Sequence, residues 1–215
     1  VDTHSPVPEG SVFRLMVAAH PIVEHDASAN DVVTAYLQGD PFEYNPKKPK
    51  AEQWVECRVF DPVDRLWRFM WMTGEIYGRQ PAGRNWHKTL TNRHQRIDME
   101  EGKNAKSIYF NKERTVKTAV YVDDPVNFSK RDKPYPLDSS LKARYYERLG
   151  AELDLKEIET LSKTQDLDYL SLRMSVSEDD EVCISNADFV YSVIERHGMT
   201  GCNPTLTPIS KDMLK

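Results

Sequence analysis

The run from Val116 to Asp124 constrains this chain more than any other stretch. It opens Val-Lys-Thr-Ala-Val-Tyr-Val and ends in two adjacent acids, Asp123 and Asp124, followed by Pro125. The β-branched and aromatic part reads as a buried strand. Pro beside Asp marks a tight turn, so the run predicts a hairpin with the acids at its tip. Such a tip is costly: two carboxylates about 4 Å apart repel by roughly 4 kcal/mol at an effective dielectric near 20. Two readings follow. A solvated tip is an ordinary polar turn, because Asp is a common turn residue. A tip that carries chemistry needs a third carboxylate and a cation between them.

Length and composition narrow the setting. A chain of 215 residues predicts one domain, or one domain with an appendage. Four Trp, ten Tyr and seven Phe can build a core although hydrophobic content is only 39%. No apolar run reaches the roughly 20 residues of a membrane span. The opening residues Val1–Pro6 lack signal-peptide character and read as the middle of a longer chain. Cys57, Cys183 and Cys202 form no CxxC pair, which suggests a reducing compartment and no zinc site. The six His also lack ligand spacing. A net charge of −5 argues against a general nucleic-acid binder. Its distribution matters more. Between Ile76 and Ile97 there is no acid, while Arg79, Arg84, Lys88, Arg93 and Arg96 are all basic. That patch is either a solvated helix face or a surface for phosphates.

Along the chain, Ser11 can cap a helix with an apolar stripe of Val12, Leu15, Met16 and Ala19, ended by His20-Pro21. A short strand then delivers Asp31 into a turn of helix that stops at Gly39. Asn45–Lys50 is a Pro- and Lys-rich loop. Trp54–Phe60 alternates as a strand with Val55, Cys57 and Val59 on one face, and Leu66–Met72 is aromatic-rich and expected in the core. A helix from about Arg84 buries Trp86 and Leu90 and exposes its basic residues. Ser107–Phe110 pairs with the Val116 strand. Asp138 or Ser139 can cap a helix through Leu141, Tyr145 and Leu149, ended by Gly150. Glu152–Asp168 is acidic and less regular. Leu170, Leu172, Met174 and Val176 alternate as a strand. Val182–Ile184 pairs back, and Ser185 caps a last helix carrying Phe189, Val190, Val193 and Ile194 before an exit linker at Asn203–Pro208. Strands and helices mixed with hairpins, rather than βαβ units, predict an α+β fold.

Three pieces stand in order: Asp31 with Tyr36 five residues on, the loop and basic helix from Gly78 to Arg96, and Tyr121-Val122-Asp123-Asp124. This order resembles the palm of copia-type retrotransposon reverse transcriptases. Asp31-Val32-x-x-Ala35-Tyr36-Leu37-x-Gly39 looks like that family's first acidic motif. Ile76-Tyr77-Gly78 with Arg84 and Trp86 looks like its second, and Tyr121-Val122-Asp123-Asp124 matches its Tyr-x-Asp-Asp box. Ile184-Ser185 through Thr207-Pro208 resembles the segment after the palm, and Ser5-Pro6-Val7 the run before it. Four motifs in order at family-like spacing are a strong signal.

The resemblance implies a polymerase palm, an antiparallel sheet backed by helices, with partial fingers. Residues 1–40 and 76–176 would form the palm, 41–75 the fingers part, and 177–215 a post-palm helix and linker. It implies RNA-directed DNA synthesis, an in-line attack of a primer 3′-oxygen on the α-phosphate of a dNTP. Two Mg²⁺ (or Mn²⁺) ions about 3.5–4 Å apart stabilise the attacking and leaving oxygens in such chemistry. Mg²⁺ prefers hard carboxylate oxygens. Asp31 and Asp123 would hold the metals, with Asp124 assisting. Tyr36 would lie under the incoming sugar, and Arg79 and Gln80 near the nucleotide. Arg84, Lys88, Arg93 and Tyr121 would face an RNA or DNA template and its DNA primer. Without the resemblance, Tyr36 reads as a core aromatic and Trp86 as the helix anchor. The resemblance also implies a segment of a retrotransposon polyprotein, active in full-length form and located in the cytoplasm, with a virus-like particle or the nucleus as alternatives. The competing reading is a non-catalytic nucleic-acid-binding or scaffold remnant whose acids are only a turn. A third is another palm-like metal enzyme, such as a nucleotidyl cyclase.

Overall fold

The computed structural model describes residues 6–50, 54–131 and 140–202. Its centre is a six-stranded antiparallel sheet in the order β4-β5-β6-β7-β1-β8. The strands are β1 (His25–Ala29), β4 (Met99–Glu101), β5 (Ile108–Asn111), β6 (Val116–Tyr121), β7 (Asp124–Lys130) and β8 (Glu159–Thr160). Both faces of this sheet are covered, which explains why β6 and β7 are buried almost continuously rather than at every second residue. With helices and antiparallel sheets combined in one body, the fold class is α+β, as the sequence predicts.

One face meets α1 (Gly10–Ala18) and a second, three-stranded sheet of β9 (Leu167–Tyr169), β10 (Leu172–Val176) and β11 (Val182–Ser185). Phe13, Met16 and Val17 of α1 pack there with Ala27, Val126, Phe128, Tyr169 and Met174. The other face meets α2 (Ala82–Arg96) and α3 (Leu141–Gly150). Trp86, Leu90, Tyr109, Val120, Tyr145 and Leu149 make that second core. Buried polar groups on this side find partners. The Ser28 and Tyr146 hydroxyls bond at 3.1 Å, and Asn127 Nδ2 donates to Thr118 Oγ1 at 2.9 Å.

Several local expectations need correction. The stripe of α1 is rotated: Leu15 is exposed, while Phe13, Met16 and Val17 are buried. Phe13 sets that face by packing its ring 4.8 Å from Tyr169. Ser11 lies inside the first turn, behind Glu9 at the cap position. The cap of α3 is Ser140, whose Oγ accepts from Ala143 N at 3.1 Å. The proposed caps Asp138 and Ser139, and the exit linker Asn203–Pro208, lie outside the described residues.

The aromatic run Leu66–Met72 is not core. It is β3, which among the described residues pairs only with β2 (Val55–Asp61), in a two-stranded ribbon outside the main sheet. Both faces of the ribbon are therefore open, and Trp67, Phe69 and Met70 are more than half exposed. Leu170 is excluded from β10 by a left-handed turn at Leu170 and Ser171, with φ of 51° and 64°. The last helix, α4 (Ala187–Arg196), buries none of its side chains among the described residues.

Candidate active site

The hairpin β6–β7 closes with Tyr121 opposite Asp124, so Val122 and Asp123 are the two turn residues. A two-residue hairpin loop requires positive φ, and Val122 supplies it at 58°. For a β-branched residue this costs about 1–2 kcal/mol. Trp86, fully buried, holds the turn from behind: its indole N–H donates to the Val122 carbonyl at 2.6 Å. Pro125 fits because β1 pairing begins one residue later, at Ala29 opposite Val126. Its carbonyl accepts from Asn30 N at 3.3 Å.

The same pairing brings the distant acid to the tip. Val32 N–H donates to the Asp123 carbonyl at 2.8 Å, so Asp31 and Asp123 lie on adjacent, hydrogen-bonded backbones. Their side chains share one field. Burial, and then the charges of Asp123 and Asp31, push the Asp124 carboxyl above the usual carboxylate range, with Lys156 partly offsetting them. Tyr36 follows in a 3₁₀ turn, Ala35–Gln38. Burial and the Asp123 charge raise its hydroxyl pKa. Its ring meets Tyr77 edge-on at 4.5 Å, and Tyr77 is raised by burial and then by Asp123. Tyr121 stands exposed at the end of β6.

Lys156, not singled out from sequence, completes this cluster. A bridge between Val32 and Leu155 lays its segment along residues 31–33. Lys156 N donates to the Asp31 carbonyl at 2.9 Å, and Lys156 Nζ donates to Asp31 Oδ2. Two further polar groups flank the acids. The Tyr169 hydroxyl is buried without a hydrogen-bond partner among the described residues, and its pKa is raised by burial and then by the charge of Asp124. Both ends of the Asn30 amide are likewise unpartnered. A lone Lys, Tyr or Asn gives no spacing signal that would have found them.

The basic helix splits into two groups. Arg79 is held by Glu75 at 2.7 Å and lies over the Phe42 ring at 5.1 Å. Glu75 is a buried carboxylate that also accepts from Asn85 Nδ2 at 2.5 Å. Arg93 is mostly buried, paired with Asp40 at 2.8 Å and with Glu152 at 3.4 Å. A template contact at Arg93 would therefore have to compete with these two acids. Gln80, Arg84 and Lys88 are exposed. A cleft of about 630 Å³ lies beside Glu75, Arg79, Asn85 and Lys88; the three carboxylates do not line it.

Among the described residues no three His, Cys, Asp or Glu side chains are arranged to enclose one ion. The donor chemistry nonetheless suits a hard divalent cation. Asp31 and Asp123 lie on neighbouring backbones, both charges act on Asp124, and an ammonium already stands against Asp31 as the compensating charge. No described helix is long and apolar enough to cross a membrane.

A family model described as "Reverse transcriptase (RNA-dependent DNA polymerase)" matches residues 1–211. No curated protein and no solved structure matches the chain.

Proposed function

The chain belongs to the reverse transcriptase (RNA-dependent DNA polymerase) family, and from that premise we propose that it is the palm, with part of the fingers, of a copia-type retrotransposon polymerase. In this reading residues 1–40 and 76–176 form the palm, 41–75 belong to the fingers, and 177–215 lead out of it. The observation that carries the proposal is the hydrogen bond from Val32 N to the Asp123 carbonyl, which sets Asp31 beside the acidic hairpin tip.

Asp31 and Asp123 would hold two Mg²⁺ or Mn²⁺ ions, with Asp124 assisting. When bound, such ions stabilise the charge on the attacking and leaving oxygens of nucleotidyl transfer. The chain's own residues orient the reactants. Tyr36, packed against Tyr77 beside Asp123, would underlie the incoming sugar and exclude a 2′-hydroxyl. Gln80 would face the dNTP, and Arg79 would act from its fixed position on Glu75. Arg84, Lys88 and Tyr121 would contact the RNA or DNA template and the DNA primer. The primer 3′-oxygen then attacks the α-phosphorus and pyrophosphate departs.

Primer extension on poly(rA)/oligo(dT) with Mg²⁺ tests this, using the chain extended upstream by the finger strands of its polyprotein. Asp31→Asn and Asp123→Asn should each abolish synthesis; survival of activity in the double variant refutes the assignment. One observation favours the competing scaffold reading: Asp31 is already neutralised by Lys156. That reading expects no Mg²⁺-dependent rise in melting temperature, together with salt-sensitive RNA–DNA binding that depends on Arg84 and Lys88 but not on Asp31.

A further inference from the structure

We propose that Lys156 is the resident counter-ion of the acidic tip, holding Asp31 until a divalent cation displaces it. The inference rests on the metal-binding reading above, but it makes separate claims about Lys156.

The geometry carries it in three steps. First, Lys156 is delivered by backbone and not by a chance rotamer. Val33 N donates to Asp154 O and Lys156 N to Asp31 O, both at 2.9 Å, so residues 154–156 run against residues 31–33. Gln38 fastens the same segment: its Oε1 accepts from Asp154 N at 2.7 Å and its Nε2 donates to Asp154 O at 3.1 Å. Second, the Lys156 ammonium bonds to Asp31 and feels the charges of Asp123 and Asp124 as well. It is the one cation that the described residues place against Asp31 as an ion pair. Third, the contact is reversible. The Lys156 side chain is 60% exposed and that of Asp31 34% exposed, so nothing buries the pair and a flexible four-carbon stem can swing away.

The consequence is an exchange. Without a divalent ion, the charges of Asp31 and Asp123 oppose that of Asp124, and a tethered ammonium relieves the repulsion at little entropic cost because its backbone is already fixed. A divalent cation offers twice the charge at shorter range and takes Asp31 from it. The freed ammonium then remains within reach of any anion bound at the tip. Lys156 thus sets how much cation is needed to assemble the site.

The test uses the full 215-residue chain with its lysines ¹³C-dimethylated, which retains their charge. The Lys156 resonance is assigned by its loss in Lys156→Arg. It should stand apart from those of exposed lysines and move to their position both in Asp31→Asn and on saturation with Mg²⁺. In parallel, Mn²⁺ binding is followed by electron paramagnetic resonance. Lys156→Met should bind Mn²⁺ about three- to fivefold more tightly than wild type, the range expected for loss of one exposed ion pair. Lys156→Arg should bind near wild type, and Asp31→Asn should bind far more weakly. A Lys156 signal indifferent to Asp31→Asn overturns the pairing. A signal that stays put while Mn²⁺ binds, or an unchanged affinity in Lys156→Met, overturns the exchange and leaves the metal reading standing. If wild type, Lys156→Met and Asp31→Asn all fail to bind Mn²⁺, the metal reading falls and takes the exchange with it, whatever the pairing signal.

Discussion

Acidification from pH 7 to pH 5 should cost this protein about 2 kcal/mol through a single side chain, His94. The ring is fully buried between α2 and α3, stacked 4.0 Å from Tyr109. Its Nδ1–H donates to the Leu90 carbonyl at 2.9 Å, leaving Nε2 to accept from the Tyr145 hydroxyl at 3.3 Å. Both contacts suit a neutral imidazole, and burial lowers its pKa to about 4. In the unfolded chain the same group titrates near 6.5. Between those values the unfolded state binds the extra proton, so stability is complete above about pH 6.5 and is lost as pH falls toward 4. A difference of about 2.5 units corresponds to roughly 3.4 kcal/mol in the limit and about 2 kcal/mol at pH 5. That is a shift of roughly 4–8 °C in melting temperature for a chain of this size. The assay is urea unfolding at both pH values for wild type and His94→Phe, which keeps a flat ring over Tyr109 but cannot titrate. Wild type should lose about 2 kcal/mol more than the variant, a comparison in which the other histidines cancel. Equal losses, or a His94 ring resonance that titrates near pH 6.5 in the folded protein, would refute the reasoning.

Three further outcomes follow from the site. Asp124→Asn should raise the melting temperature at pH 7, because burial and two neighbouring acids oppose its charge; the gain should shrink as pH falls and wild-type Asp124 takes up its proton. Arg93→Met should cost about 1 kcal/mol in urea unfolding, because Asp40 loses its ion pair while Glu152 keeps Arg96, yet leave the salt dependence of RNA–DNA binding unchanged, whereas Lys88→Met should lower that slope by about 1. Trp86→Phe should cost about 2 kcal/mol, from the lost bond to Val122 and incomplete refilling of the ring's space, and hydrogen exchange should speed up most at residues 121–124.

Where the sequence spoke through period and punctuation, it was legible. The Val116–Tyr121 strand, the turn at its end and the burial of Trp86 and Leu90 on α2 all follow from local pattern. The α+β class follows from the order of those elements. What escaped was decided by partners far along the chain. Leu15 and Phe13 are both apolar, and it is distant partners such as Phe128, Tyr169 and Met174 that bring Phe13 into the core. Leu66–Met72 carries the residues of a core strand, but a ribbon with no third strand leaves both of its faces open. Arg93 looked like part of an uncompensated basic face because its acids, Asp40 and Glu152, lie more than fifty residues away on either side. Lys156 was silent for the same reason, since only the bridge from Val32 to Leu155 brings it to Asp31.

Several features that oppose folding lie together at one end of the main sheet. Val122 occupies a left-handed conformation, Asp124 is charged against its neighbours, and the Tyr169 hydroxyl and the Asn30 amide are buried without partners among the described residues. The sheet tolerates them because two separate cores press on its faces behind the tip, and each contributes a group that reaches forward. Trp86 comes from the α2 and α3 side, and Tyr169 from the side of α1 and the small sheet. An ordinary polar turn would need neither, since Asn-Gly closes a two-residue hairpin without strain. Strain at a hairpin tip, like charges in one field and orphaned hydrogen-bonding groups are separate costs. Their proximity to Asp31, Asp123 and Asp124 is the physical argument for the proposal that this end of the sheet receives a charged ligand.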